Sequence, residues 1–175
     1  MKTIAIVIAL FLAPLVGNAQ SMFDSFADEK DVTSVLVTKN MFKLMSEMDL
    51  DSSDPEAKEY LDMVDDLNDI KIFTTDNPEV AKRMNVTVQK YLNSGNGLSE
   101  LMRVKDDGQN IKFYSKQGKS ENIVSELFMH LDGIVDGKAM TVIMSITGNI
   151  DLKQISKLTK QLNVPGGDKL DEKHN

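Results

Sequence analysis

The sequence predicts an α+β domain: an antiparallel, mostly meandering sheet with amphipathic helices packed on one face, in the order β-α-α-β-α-β-β-β-β-α. Three observations predict it. Apolar residues recur with a helical period through much of the first half and alternate with period two through most of the second. The alternating runs are separated by Asp107-Gly108, Gln117-Gly118 and Asp136-Gly137, short punctuation that joins neighbouring strands as hairpins. Two prolines, Pro55 and Pro78, follow Asp54 and Asn77, which is how helices start: a capping side chain, then a residue whose missing N–H costs nothing.

The elements follow in order. VTSVLVT at 32–38 is rich in β-branched residues and reads as the first strand. Met41, Leu44, Met45 and Met48 then keep helical spacing, and DLDSSD ends that helix. A second helix opens at Asp54-Pro55-Glu56, with Ala57, Tyr60, Leu61, Val64 and Leu67 on one face. DIKIFTT at 69–75 is a strand, and Asn77-Pro78-Glu79 opens a third helix with Val80, Met84, Val88, Tyr91 and Leu92 together. Four strands follow, with the alternating sets Leu98/Glu100/Met102/Val104, Ile111/Phe113, Ile123/Ser125/Leu127/Met129/Leu131 and Met140/Val142/Met144/Ile146. Gly148-Asn149 is expected to turn the chain, and Asp151 to cap a last helix carrying Leu152, Ile155, Leu158 and Leu162.

The first 19 residues, MKTIAIVIALFLAPLVGNA, have one Lys, an apolar run and small residues at the −3 and −1 positions. That is a secretory signal peptide, with cleavage expected before Gln20. The apolar run is too short, at about 1.5 Å per residue, to cross a hydrocarbon core of about 30 Å, so no stable membrane anchor is expected after cleavage. Residues 20–31 read as a mobile lead-in, 32–162 as a single domain and 163–175 as a flexible tail. The chain has no Cys, which excludes disulfides, thiol nucleophiles and a lipid-modified cysteine. The expected address is extracytoplasmic, periplasmic or extracellular.

Composition narrows the function. The net charge of −7 offers no footprint for phosphate backbones, and no Trp supplies a stacking platform, so nucleic acid is not an expected partner. Strand, Gly148, helix is also the outline of a phosphate-binding loop, but that loop needs several glycines and a Lys, Ser or Thr. Here a lone glycine is followed by Asn149-Ile150-Asp151, and the carboxylate would repel a phosphate. His130 is the one His outside the tail, too little for a zinc site without several carboxylates. No G-x-S-x-G motif marks an activated Ser. Asp49, Asp51 and Ser53 begin like a calcium loop, yet Asp54 stands where Gly is required and Tyr60 where Glu is required. Asp62, Asp65 and Asp66 line one solvated helix face and lack the burial a catalytic acid needs. No catalytic, cofactor-binding or metal-ligating residue is therefore assigned.

The runs FDSFADEKDVTSVLVTKNMFKLM (23–45), DIKIFTT, LSELMRVKDDGQNIKFYSKQGK and MTVIMSITGNIDLKQISKL resemble the family known as domain of unknown function 4252, DUF4252. The resemblance covers residues 23–160 and implies a small exported α+β domain of Gram-negative bacteria. It carries over no activity and no catalytic or binding residue.

The leading expectation is a non-enzymatic module of the cell envelope that binds a protein or peptide. The outward positions Lys112, Lys116, Thr141, Ser145 and Thr147 suggest a sheet face open to water. Tyr114, Phe128, His130 and Ile143 would form an apolar interaction patch on it. The competing expectation is a small-ligand or lipid carrier, with a Met-lined cavity between helices and sheet. A carboxylate-based enzyme would instead show an inward Asp or Glu of raised pKa in a cleft.

Overall fold

The computed structural model describes residues 20–47, 64–106, 108–120, 122–152 and 165. A short 3₁₀ helix, Gln20–Phe26, precedes β1 (Thr33–Thr38), α1 (Lys39–Glu47), β2 (Leu67–Thr75), α2 (Pro78–Leu92) and four strands. These are β3 (Leu98–Asp106), β4 (Gln109–Ser120), β5 (Ile123–Val135) and β6 (Lys138–Asp151). All pairings are antiparallel, and the order across the six-stranded sheet is β1-β2-β6-β5-β4-β3. The meander is thus present as expected, and β2 attaches along β6 with β1 outside it. Because β2 and β3 lie far apart in the sheet, α2 must cross the sheet to connect them. The second helix is described only at its end, and the last helix only at Leu152; the leader and tail lie outside the described residues.

Both faces of the sheet are covered, which corrects the expectation of helices on one face. On the first face, Ile70, Ile72, Ile111, Phe113, Leu127, Met129, Val142, Met144 and Ile146 pack with Phe42 of α1 and with Val64. On the second, Phe73, Phe128 and Ile143 pack under Val80, Met84, Val88 and Tyr91 of α2. Asn77 caps α2 as its sequence predicts, its side-chain Oδ1 accepting from Glu79 N and Val80 N.

The residues expected to form a mobile lead-in belong to this second layer. Phe23 and Phe26, three apart, turn inward from the 3₁₀ helix and are 2% and 4% exposed. Phe23 meets Tyr91 at 5.1 Å and Phe128 at 5.6 Å, and Phe26 meets Phe73 at 6.5 Å. Aromatic pairs of this kind add about 0.5–1.5 kcal/mol each beyond their burial, enough to hold a segment whose polar residues suggest disorder. Lys71–Asp24 at 2.6 Å and Arg83–Glu29 at 2.9 Å tie its rim.

Three irregularities change the side-chain parity. Leu101 is an extra residue on β3, so Leu98 and Glu100 lie on the α2 face while Met102 and Val104 lie on the other. A register shift between Val124 and Glu126 likewise puts Val124, not Ser125, in line with Leu127. Gln117-Gly118 is not a turn: it lies inside β4, and the chain reverses after Ser120. A Cβ at Gly118 would stand 2.6 Å from the carbonyl oxygen of Ile123, so this glycine serves a close strand approach.

Gly148 is the largest departure. The chain does not turn there; β6 runs on, pairing Ile150 with Val124 and Asp151 with Ile123. Gly148 has φ +140°, and the β2 ladder shifts beside it, between Leu67 and Asp69. The backbone of Asp66 crosses so closely that a Cβ would lie 2.4 Å from its carbonyl oxygen, which also accepts from Asn149 N at 2.9 Å. The glycine therefore lets β2 and β6 touch where β2 begins. Gly148→Ala combines a disfavoured φ with a backbone clash and is expected to cost about 3 kcal/mol or more. Gly95→Ala, at φ +72° with nothing within 4 Å, is expected to cost only about 1–2 kcal/mol. Chemical denaturation of the two variants checks the difference.

Candidate functional site

Period-two alternation places Glu126, Phe128, His130 and Asp132 of β5 on the α2 face. Tyr114, Phe128, His130 and Ile143 do share that face, as expected, but it is not an open surface. Phe128 and Ile143 have no exposed area and sit in the second core layer, and Tyr114 packs against them, 6.2 Å from the Phe128 ring. The patch is a covered layer: these apolar side chains are what α2 and the 3₁₀ helix bury. Three of the polar positions read as solvated are covered with it, whereas Lys112 is half-buried and Lys116 is exposed as expected. Thr141, Ser145 and Thr147 are 1%, 4% and 8% exposed.

Covered hydroxyls need partners, and they find carboxylates. Two networks result. Toward the N-terminal half of α2, Thr141 Oγ1 donates to Asp132 Oδ1 at 2.8 Å. Asn85 of α2 donates from Nδ2 to the same Asp132 oxygen at 3.2 Å. Its own Oδ1 lies 2.7 Å from His130 Nε2. Because an ionised carboxylate only accepts, the Asn85 amide orientation is set by Asp132, and His130 must carry its proton on Nε2. Burial pushes the His130 pKa down to about 4, opposed by Asp132 and assisted by Lys112, so the ring is neutral near pH 7. Asn85-Val86-Thr87 also reads as a glycosylation sequon, but the Asn85 amide is committed to this network inside a helix.

This network forms the floor of an open groove of about 780 Å³ between α2 and the ends of β4, β5 and β6. Lys82 and Val86 line its helical wall, and Lys112, Ile134 and Met140 line the sheet side. Val86 and Ile134 are 49% and 50% exposed, unusual for apolar residues flanking a concave surface. Among the described residues the hydrogen-bond partner of His130 is Asn85, which orients the imidazole. No three His, Asp or Glu side chains among the described residues converge as metal ligands.

The second network lies at the other end of α2. Glu126, Thr147 and Asp69 occupy one row across β5, β6 and β2. Tyr91 donates its hydroxyl to Glu126 Oε1 at 2.5 Å, and Ser145 approaches the same oxygen at 3.5 Å. Thr147 donates to Asp69 Oδ2 at 2.7 Å, while Asp69 Oδ1 is buried without a partner. Burial raises the Glu126 pKa against the Tyr91 hydrogen bond and Lys116, and burial followed by the Glu126 contact raises that of Tyr91. This is an inward carboxyl of raised pKa, but Tyr91 seals it, and Glu126 does not line the groove. The methionines expected to line a cavity are split between layers: Met84 lies under α2, and Met129 and Met144 lie in the first core, all without exposed area.

Sequence reasoning singled out His130 and missed Asn85, Asp132 and Thr141 as its hydrogen-bonded company. The signal was available in the parity of β5 and in Asn85, a polar residue beside Met84 and Val88 at the margin of an apolar helix stripe.

Both networks titrate. The depressed His130 pKa means that, as pH falls from about 6.5 to about 4, the unfolded chain gains a proton the fold refuses. Stability in that window should fall by roughly 2–3 kcal/mol. His130→Gln should remove that component from the pH profile of the denaturation midpoint. Glu126 has the opposite sign: its neutral form is favoured in the fold, and that stabilisation is lost as pH rises through the raised folded value. Glu126→Gln keeps an acceptor for Tyr91 and should raise the midpoint at pH 7 but leave it unchanged at pH 3, as thermal melts at the two pH values would show.

The family model of DUF4252, a domain of unknown function, matches residues 25–158. No match was found among curated proteins or among solved structures. A match over most of the chain, from the 3₁₀ helix past the end of β6, shows that this chain belongs to the DUF4252 family.

Proposed function

We propose that this domain is a non-enzymatic interaction module of the cell envelope and that it receives an extended peptide segment of a partner protein in the groove between α2 and β4–β6. The observation that carries the reading is the combination at that groove of exposed Val86 and Ile134 with a polar floor already satisfied within the fold. Apolar side chains on the walls supply affinity to a segment lying along the groove. Lys82 and Lys112 share the groove lining with Asp76 and Asp132, so it offers both signs of charge to the segment. An enzyme would need His130 aimed at a reacting group, and its donor is spent on Asn85. The extracytoplasmic address rests on the leader, MKTIAIVIALFLAPLVGNA.

The test places a photo-crosslinking residue at Val86, Ile134 or, as a remote control, Leu101, in intact cells of a native host. Adducts with one envelope protein are expected at Val86 and Ile134 and not at Leu101. Val86→Asp should weaken capture at Ile134 about tenfold or more, with an unchanged melting temperature because Val86 is half-exposed. Adducts of equal yield at all three positions would overturn the reading. Recovery of a lipid or metabolite at Val86 and Ile134 would replace it with the carrier.

A further inference from the structure

The two edges of the sheet are built differently. β3 carries a bulge at Leu101 and the charged residues Glu100, Arg103 and Lys105, with Arg103 paired to Glu100 at 2.6 Å. Bulges and charges of this kind prevent another strand from adding. β1 has none of these devices. Its sequence, TSVLVT, is uncharged and free of Pro and Gly, and its register with β2 is unbroken over all six residues. Among the described residues it pairs with β2 alone. Val35 and Leu36, on opposite faces, remain 41% and 46% exposed. A regular, neutral, apolar edge with unpaired backbone groups is a template for strand addition.

We propose that β1 is the seam of a symmetric dimer, in which β1 of a second copy adds antiparallel to this edge and continues the sheet across a two-fold axis at Val35. Charge selects the occupant and its direction. Asp28, Glu29 and Asp31 precede the strand with one cation, Lys30, among them, a net acidic flank, and Lys39 follows it. An antiparallel copy brings the acidic flank of each chain beside the basic flank of the other, whereas a parallel one opposes like with like. A two-fold axis normal to the sheet keeps each face on its own side, so residues of equal parity pair. Centred on Val35, the register sets Val35 against Val35, Thr33 against Val37 and Ser34 against Leu36. No like charges meet. Asp31, at φ +64°, and Lys39, the first residue of α1, lie just beyond the paired stretch at exposed positions, where they accept from Asn77 at 3.0 Å and donate to Asn68 at 3.5 Å. This seam is independent of the groove, which lies on the far side of β2.

The chain has no Cys, so single thiols report the register directly. In the full-length protein purified from expressing cells, Val35→Cys faces its counterpart across an antiparallel pair with Cα atoms about 4.5–5.5 Å apart, within disulfide reach. Oxidation should give a covalent dimer with Val35→Cys and none with Leu101→Cys at the opposite edge. Wild-type protein should sediment as a concentration-dependent dimer. Val35→Lys, which opposes two cations at the axis, should weaken association at least about tenfold while far-UV circular dichroism keeps the sheet signature. A wild type that sediments as a monomer at every concentration overturns the proposal, including the case in which β1 is instead taken by another protein's strand. So does equal crosslinking of the Leu101→Cys variant.

Discussion

The structure depends on one requirement: every polar group on the sheet face that α2 crosses must find a partner once the helix is in place. An unpaired buried acceptor costs on the order of 1–3 kcal/mol, and this face buries Thr141, Ser145, Thr147 and Glu126, with Asp69 half-buried and Asp132 exposed at its margin. The solution is to group hydroxyls around carboxylates, under the middle and under the C-terminal end of α2, and to pack Phe73, Phe128 and Ile143 beside them. The helix contributes Asn85 from its middle and Tyr91 from its last turn, and apolar contacts from Val80, Met84 and Val88. Among the buried side-chain atoms of the described residues, Asp69 Oδ1 alone is left without a partner. Hydrogen bonds inside the layer thereby fix where α2 lies along the sheet, a positional specificity that apolar packing alone supplies poorly.

Much of the fold was legible in the sequence because local signals agreed. Asn77-Pro78-Glu79 starts α2, Asp136-Gly137 with two positive φ angles joins β5 to β6, and TSVLVT and DIKIFTT are strands. What failed was nonlocal. Alternation predicts a face only until an extra residue intervenes, and Leu101 and the shift after Val124 each intervene once. Gly148 reads as a turn because a turn is the commonest use of a Gly-Asn pair. Its actual role, to admit the backbone of Asp66, exists only after β2 has paired with β6.

The candidate site was legible in one residue and misread in its setting. Thr, Ser and Lys alternating with apolar residues is the pattern of a half-solvated sheet, and it is also the pattern of a covered face whose hydroxyls are satisfied internally. Sequence alone does not separate the two. Phe23 and Phe26 were the missing term: two aromatic residues in a polar segment have to bury somewhere, and the layer they complete is the one taken for an open patch. Once that layer is closed, the concave surface moves to its margin, where Val86 and Ile134 stay exposed beside the His130 network.

The strand order also governs the sequence of assembly. β3 to β6 are joined by short reversals, so each pairs with a neighbour made moments earlier, and the loop-closure entropy of each step is small. β2 is different: its second partner, β6, comes from the opposite end of the chain. During synthesis β1 and β2 emerge early and can pair only with each other, leaving the apolar edge of β2 bare until the last strand arrives. Pairings between distant segments are slow steps, and unpaired edges are where chains associate wrongly. Folding of this domain is therefore gated by its final strand, and the interval before that strand docks is when the nascent chain most needs protection from its neighbours.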